Sequence, residues 1–260
     1  MKLIFFDIDG TLIPDNSQQM SPSTILAIKT AKKNGHVCMV NTGRSYKLVG
    51  GWLPAQVDFD GYLCGIGTHI IYKNQCLLHE TFDCETAQRI IDGLEKYHID
   101  AVLEGAENNY HNRFEKMHTK EFYDFMKRFS HMHYGFYDEA PGCFDKFYCL
   151  APNKSQIAGF QNEFGDILDV IDREKGYYEI GPKGYSKAGA IRFMADYLKV
   201  PMEETVAIGD SNNDLQMLSA AHTAIAMGNA NDAVKNIADY ITTDVSEDGI
   251  YHALDWLGVL

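Results

Sequence analysis

A chain of 260 residues with 45% hydrophobic and 23% charged side chains suits a folded globular protein of one large domain or two modest ones. Its formal net charge of −13 argues against a nucleic-acid partner, which needs a basic face, and against an anionic membrane surface. No apolar run approaches the ~18 residues of a membrane span. The start MKLIFFDIDG lacks a signal-peptide pattern, and the cysteines (Cys38, Cys64, Cys76, Cys84, Cys143, Cys149) form no CxxC pair. The expectation is a cytoplasmic protein with buried free thiols.

In chain order, LIFF (3–6) reads as a buried strand that ends in acids: Asp7-Ile8-Asp9-Gly10-Thr11. Ser21-Pro22 opens a helix, with Ser as N-cap and Pro at the first helical position, and Gly35 closes it. HVCMV (36–40) is a second strand, which ends in Asn41-Thr42-Gly43-Arg44 and completes a βαβ unit with parallel strands. Short strands with a turn at Lys73-Asn74 fill 61–80. The texture then changes: a helix near 84–97, strands near 100–104 and 109–113, a helix near 118–130, a strand at 144–150 and a helix near 154–163. A strand pair around 167–180 is joined at Glu174-Lys175-Gly176. Residues 82–183 are therefore expected to form an inserted α/β domain, with 1–81 and 184–260 forming the core domain. From Ser186 the βα rhythm returns, with a helix at 186–198, strand TVAIG (205–209) ending at Asp210, a helix at 213–220, strand 224–227, a helix at 231–237, strand 240–243 and a last helix at 247–257.

In open parallel sheets ligands bind at the carboxyl ends of the strands. Three strand ends here carry polar clusters, at Asp7–Thr11, at Asn41–Arg44 and at Gly209-Asp210-Ser211-Asn212-Asn213-Asp214. A parallel sheet brings Asp7, Asp9, Asp210 and Asp214 to one edge, where they repel unless a cation sits among them; oxygen ligands beside a phosphate suit Mg2+. A carboxylate there can act as a nucleophile toward phosphorus, and a second can move the proton. Thr42 and the Gly43 N–H are candidate phosphate donors, and Lys187 and Lys183 are candidate cations. Arg44 reads equally as a substrate or inter-domain contact and as a solvated loop arginine. His131 and His133 lack a third ligand at zinc-like spacing and read as surface residues. Glu179 and Gly181-Pro182-Lys183-Gly184 are candidate hinge or substrate contacts.

Asp7-Ile8-Asp9-Gly10-Thr11 matches the DxDGT signature of the haloacid dehalogenase-like phosphohydrolases. Asn41–Arg44, Ser186-Lys187-Ala188-Gly189 and Gly209-Asp210-xx-Asn213-Asp214 resemble that family's other three motifs, in the same order. The resemblance implies a Rossmann-like α/β core with a mobile cap, Asp7 as nucleophile and Asp9 as general acid and base. It implies Mg2+ held by Asp7, the Asp9 carbonyl and Asp210, with Asn213 or Asp214 acting directly or through water. Thr42 and Lys187 would bind the phosphoryl group; Lys187 is preferred to Lys183 because it opens a helix. The long segment between Thr42 and Lys187 resembles the larger α/β cap of the Cof-like sugar-phosphate phosphatases. One departure is Gly65-Ile66-Gly67-Thr68-His69, where the family often has Asn-Gly. The expected function is a phosphatase for a small phosphorylated metabolite, with a phosphomutase as the alternative and a non-catalytic binding protein as a third reading. Substrate identity and oligomeric state are left open.

Overall fold

Leu3, Ile4, Phe5 and Phe6 are all fully buried, as a central parallel strand covered on both faces requires. The computed structural model describes residues 1–14, 17–128, 134–139 and 144–260; His131, His133 and Cys143 lie outside them. The chain runs β1 (Leu3–Phe6), α1 (Pro22–Lys33), β2 (Val37–Asn41), α2 (Tyr46–Val49), β3 (Gly61–Cys64), β4 (His69–Tyr72) and β5 (Gln75–His79). It continues through α3 (Cys84–Lys96), β6 (Asp100–Glu104), β7 (Asn109–His111), α4 (Lys120–Arg128), β8 (Gly135–Phe136), β9 (Lys146–Leu150), α5 (Lys154–Phe164), β10 (Leu168–Asp172) and β11 (Tyr177–Pro182). It closes with α6 (Lys187–Leu198), β12 (Thr205–Gly209), α7 (Leu215–Ala220), β13 (Thr223–Ala226), α8 (Asp232–Lys235), β14 (Tyr240–Ile241) and α9 (Gly249–Trp256).

The fold is α/β, in two compact units. One unit comprises Met1–Arg44, Leu48–Leu78 and Ser186–Leu260; the other comprises Ser45–Lys47 and His79–Tyr185. The first unit is built on a sheet of order β14-β13-β12-β1-β2-β3-β4-β5. Pairing is parallel from β14 to β3, and β4 then returns antiparallel to β3. Leu3 and Phe5 pack with Ile191 and Met194 of α6 and Met217 and Leu218 of α7. Ile4 and Phe6 point to the opposite face by strand alternation. The register sets Phe6 beside both Val40 and Ile208, so Asp7, Asn41 and Gly209 leave the sheet at one edge.

The second unit has a sheet of order β10-β11-β9-β6-β7-β8, antiparallel except for β7–β8. Ala101, Leu103, Phe147, Cys149 and Ile180 form one apolar face, packed with Leu94 of α3 and Phe160 of α5. On the other face Val102 and Leu150 meet Phe122 and Met126 of α4.

Cys38, Cys64 and Cys149 are buried cysteines, as expected. Cys76 and Cys84 are exposed ones, because they sit on the terminal strand β5 and at the first residue of α3. Among the described residues, no helix is long and apolar enough to cross a membrane.

Candidate active site

The turn after β1 explains its paired acids. Asp7 N–H donates to Ile208 O (3.0 Å), which extends the parallel ladder one residue past the strand. Ile8 is fully buried, and its carbonyl accepts from the N–H groups of Thr11, Leu12 and Ile13 at 3.2, 2.9 and 3.1 Å. The chain therefore folds back sharply and leaves Asp7 and Asp9 on the turn. Gly10 has φ +75°, and a Cβ there would run into the Asp210 carboxylate. Thr11 Oγ1 donates to Asp210 Oδ1 (3.0 Å), which orients that carboxylate.

Lys187 is delivered by the first turn of α6, whose N-cap Ser186 accepts from Gly189 N–H (3.0 Å). Its buried ammonium lies 2.6 Å from Asp7 Oδ1 and 2.6 Å from Asp214 Oδ1. The other Asp214 oxygen accepts from the backbone N–H groups of Asp210 (3.0 Å) and Ser211 (3.2 Å). Ligand oxygens of Asp7, Asp210 and Asp214 all lie within 4.8 Å of one another. Burial, together with the charge of Asp214, raises Asp7 above the usual carboxylate range despite Lys187. Burial, then Asp7 and Asp214, pushes Asp210 up to about 8. Burial alone would depress Lys187; the charges of Asp214 and Asp7 override it and hold the ammonium above its ordinary value. Three carboxylates share one buried cation, so the cluster lacks positive charge. This donor set fits a hard divalent ion such as Mg2+.

The loop after β2 forms the next wall. Thr42 is buried; its N–H donates to Leu63 O (2.9 Å) and its Oγ1 accepts from Arg44 N–H (3.1 Å). Gly65 and Ile66 brace this loop by donating to the carbonyls of Arg44 (2.9 Å) and Thr42 (3.2 Å). The Gly65–Thr68 stretch, which departs from the family pattern, thus has a local supporting role. Gly43 is half-buried beside Thr42. Arg44 grips Asp9 with two hydrogen bonds, Nε to Oδ2 (2.8 Å) and Nη2 to Oδ1 (2.5 Å), with its guanidinium 5.9 Å from the Trp52 ring centroid. Asn213 Oδ1 accepts from Ser211 Oγ. Lys183 donates to Gly165 O (2.7 Å) within the second unit.

The family model for haloacid dehalogenase-like hydrolases matches residues 4–254. The chain belongs to the haloacid dehalogenase-like hydrolase family. It is 28% identical to phosphatase YwpJ of Bacillus subtilis, over 99% of this chain and 100% of that protein. It is 26% identical to 5-amino-6-(5-phospho-D-ribitylamino)uracil phosphatase YitU of the same organism, over 95% and 94%. BT1666 from Bacteroides thetaiotaomicron, described among phosphatases of this superfamily, shares the fold with a TM-score of 0.86 at 24% identity, over 100% of this chain and 96% of that one. This member of the family is an enzyme, a hydrolase of the phosphatase type.

The haloacid dehalogenase-like site also uses side chains to which motif reading assigned no role. Asn41 Nδ2 donates to Lys187 O (2.9 Å), which ties β2 to the start of α6. Asn229 Nδ2 donates to Gly10 O (2.8 Å), and Asn231 N–H donates to Asp210 O (3.2 Å). Both asparagines follow β13 in Met227-Gly228-Asn229-Ala230-Asn231. Their signal was the polar carboxyl end of a fourth parallel strand, the same rule that located the other three.

Proposed function

We propose that this chain is a Mg2+-dependent phosphatase that hydrolyses a small phosphorylated metabolite, a sugar phosphate, through an aspartyl-phosphate on Asp7. The gathering of Asp7, Asp210 and Asp214 beside the buried ammonium of Lys187 carries this reading. Mg2+ would be held by Asp7, the Asp9 carbonyl and Asp210, with Asn213 or Asp214 in support, and would neutralise charge on the phosphoryl oxygens. Lys187 restrains one oxygen of Asp7 and leaves the other to attack phosphorus. As the Asp7 O–P bond forms, the bond to the leaving oxygen breaks, and Asp9 supplies that oxygen with a proton. Asp9 then takes a proton from water, whose oxygen attacks phosphorus and frees Asp7 and inorganic phosphate. Thr42, Gly43 and Lys187 hold the phosphoryl oxygens throughout. Residues 82–183 supply the choice of substrate. YitU, whose name gives a phosphorylated ribityl compound as its substrate, supports a hydroxylated metabolite.

The purified chain is expected to release phosphate from p-nitrophenyl phosphate with Mg2+, to lose that activity in EDTA, and to lose it by more than a thousandfold on Asp7→Asn. Activity retained by Asp7→Asn would overturn the nucleophile assignment. An isomerised sugar phosphate without phosphate release would favour the phosphomutase instead.

A further inference from the structure

The second unit buries charge that the phosphoryl chemistry above does not use. Strand register sets Glu104 of β6 opposite both Lys146 of β9 and Asn109 of β7. Lys146 Nζ lies 3.1 Å from Glu104 Oε2 and 2.9 Å from Glu179 Oε1, and Arg173 Nη1 lies 3.1 Å from Glu179 Oε2. Lys146, Glu179 and Glu104 are 2%, 3% and 7% exposed, and Asn109 is fully buried with no hydrogen-bond partner for its Nδ2.

These side chains share the sheet face of Val102 and Leu150, by the period-two alternation of strands. One end of that face is closed with apolar groups, where Phe122 and Met126 of α4 cover Val102 and Leu150. The other end is ionic, although burying ions is costly and a hydrophobic filling is often at least as stable. The unpartnered amide adds a further desolvation cost. A structural strip has no need of these groups; a recognition site does.

Their chemistry limits the ligand. Two carboxylates accept from hydroxyl groups; an ammonium, a guanidinium and a free amide donate to hydroxyl oxygens. The positive and negative charges balance, so the patch offers no net attraction to a second phosphate, and its carboxylates would repel one. The stacked rings of Tyr148 and Tyr177, with centroids 5.5 Å apart, lie beside it on neighbouring strands and offer an apolar surface to C–H groups.

We propose that Glu104, Asn109, Lys146, Arg173 and Glu179 form a recognition site for the hydroxyl groups of an uncharged, polyol-like leaving group. The substrate is then a sugar or polyol monophosphate and not a bisphosphate. This inference rests on the phosphatase reading above. Its test compares the full chain with Glu179→Gln and Asn109→Ala, both checked for folding by thermal melting. The probes are hexose, pentose and pentitol monophosphates, a hexose bisphosphate, and phenyl phosphate, which has no hydroxyl groups on its leaving group. For the monophosphate the wild type turns over best, each variant should lose at least about tenfold in kcat/KM, mainly through KM, because the partner groups are left unpaired. Phenyl phosphate hydrolysis should change less than twofold. Equal losses on both substrates would reveal a merely structural cluster and overturn the proposal. Unchanged sugar-phosphate kinetics in both variants, or a wild-type preference for the bisphosphate or for phenyl phosphate, would overturn it as well. Failure of the wild type to release phosphate from any probe would bring down the phosphatase reading and the proposal together.

Discussion

Arg44 shows what a motif leaves unsaid at the scale of one residue. The pentapeptide Asp7–Thr11 declares its acids by type and spacing, and so do Asp210 and Asp214. An arginine two places after the threonine proposed to bind phosphate has many carboxylates within its reach, so its partner is a property of the folded loop. The structure gives that partner as Asp9, held by a planar two-point pairing that a lysine cannot copy. Arg44 is therefore expected to set the orientation of Asp9, the carboxylate proposed to move the proton. Arg44→Ala should lower kcat about 10- to 100-fold on an alkyl phosphate, whose leaving oxygen needs a proton. The loss should be several-fold smaller on p-nitrophenyl phosphate, whose phenolate leaves without one. Steady-state rates on the two esters check this; equal losses would instead place Arg44 on the phosphoryl group, as one reading of the sequence had it.

At the scale of elements, legibility followed the range of the interactions that set each boundary. The N-cap of α1 and the left-handed turn at Lys73-Asn74 depend on neighbours in sequence, and both were readable. Helix α2, only four residues long, gave too few positions for a periodicity to show. Helix α4, expected over 118–130, is Lys120–Arg128 among the described residues. Its entry is fixed from a distance: Asp100 accepts from His118 N–H (2.8 Å), Thr119 N–H (2.8 Å) and Thr119 Oγ1 (2.7 Å). Thr119 Oγ1 in turn accepts from Phe122 N–H (3.2 Å). No local pattern announces an anchor supplied by a strand 18 residues upstream. Asp100→Ala leaves three donors without their acceptor next to a packed helix end. It should cost about 1–3 kcal/mol in a urea titration, because buried donors lose a charged acceptor. Asp100→Asn should cost less, since it keeps one acceptor oxygen in place.

At the scale of the whole molecule, the excess of acids concentrates into a pH-dependent demand for a cation. An acidic chain with net charge −13 already repels itself, and the trio of buried Asp7 and Asp214 and half-buried Asp210 focuses that repulsion where the Lys187 ammonium pairs with Asp7 and Asp214. Asp210 is held up to about 8 in the fold, against an ordinary value of 3.8, and Asp7 is also raised. A raised carboxylate binds its proton more tightly in the native state than in the unfolded chain. Its contribution to stability is fully present below about pH 4 and is lost as pH rises through about 8. Mg2+ held as proposed would favour the ionised carboxylates, so its binding would expel protons and tighten across the same interval. The melting temperature gained from millimolar Mg2+ should therefore be small at pH 5 and grow to several degrees at pH 8. At that pH, binding at a hundredfold excess over Kd is worth about 2.7 kcal/mol. Each kcal/mol corresponds to about 2–4 °C for a domain of this size. Thermal melts with Mg2+ and with EDTA across this range measure the difference directly. A gain that did not vary with pH would mean that the trio is already ionised without the metal, and that other contacts relieve its repulsion. In Asp210→Asn, which removes one of the charges, the metal-free protein should melt higher at pH 8 than the wild type and gain less from Mg2+.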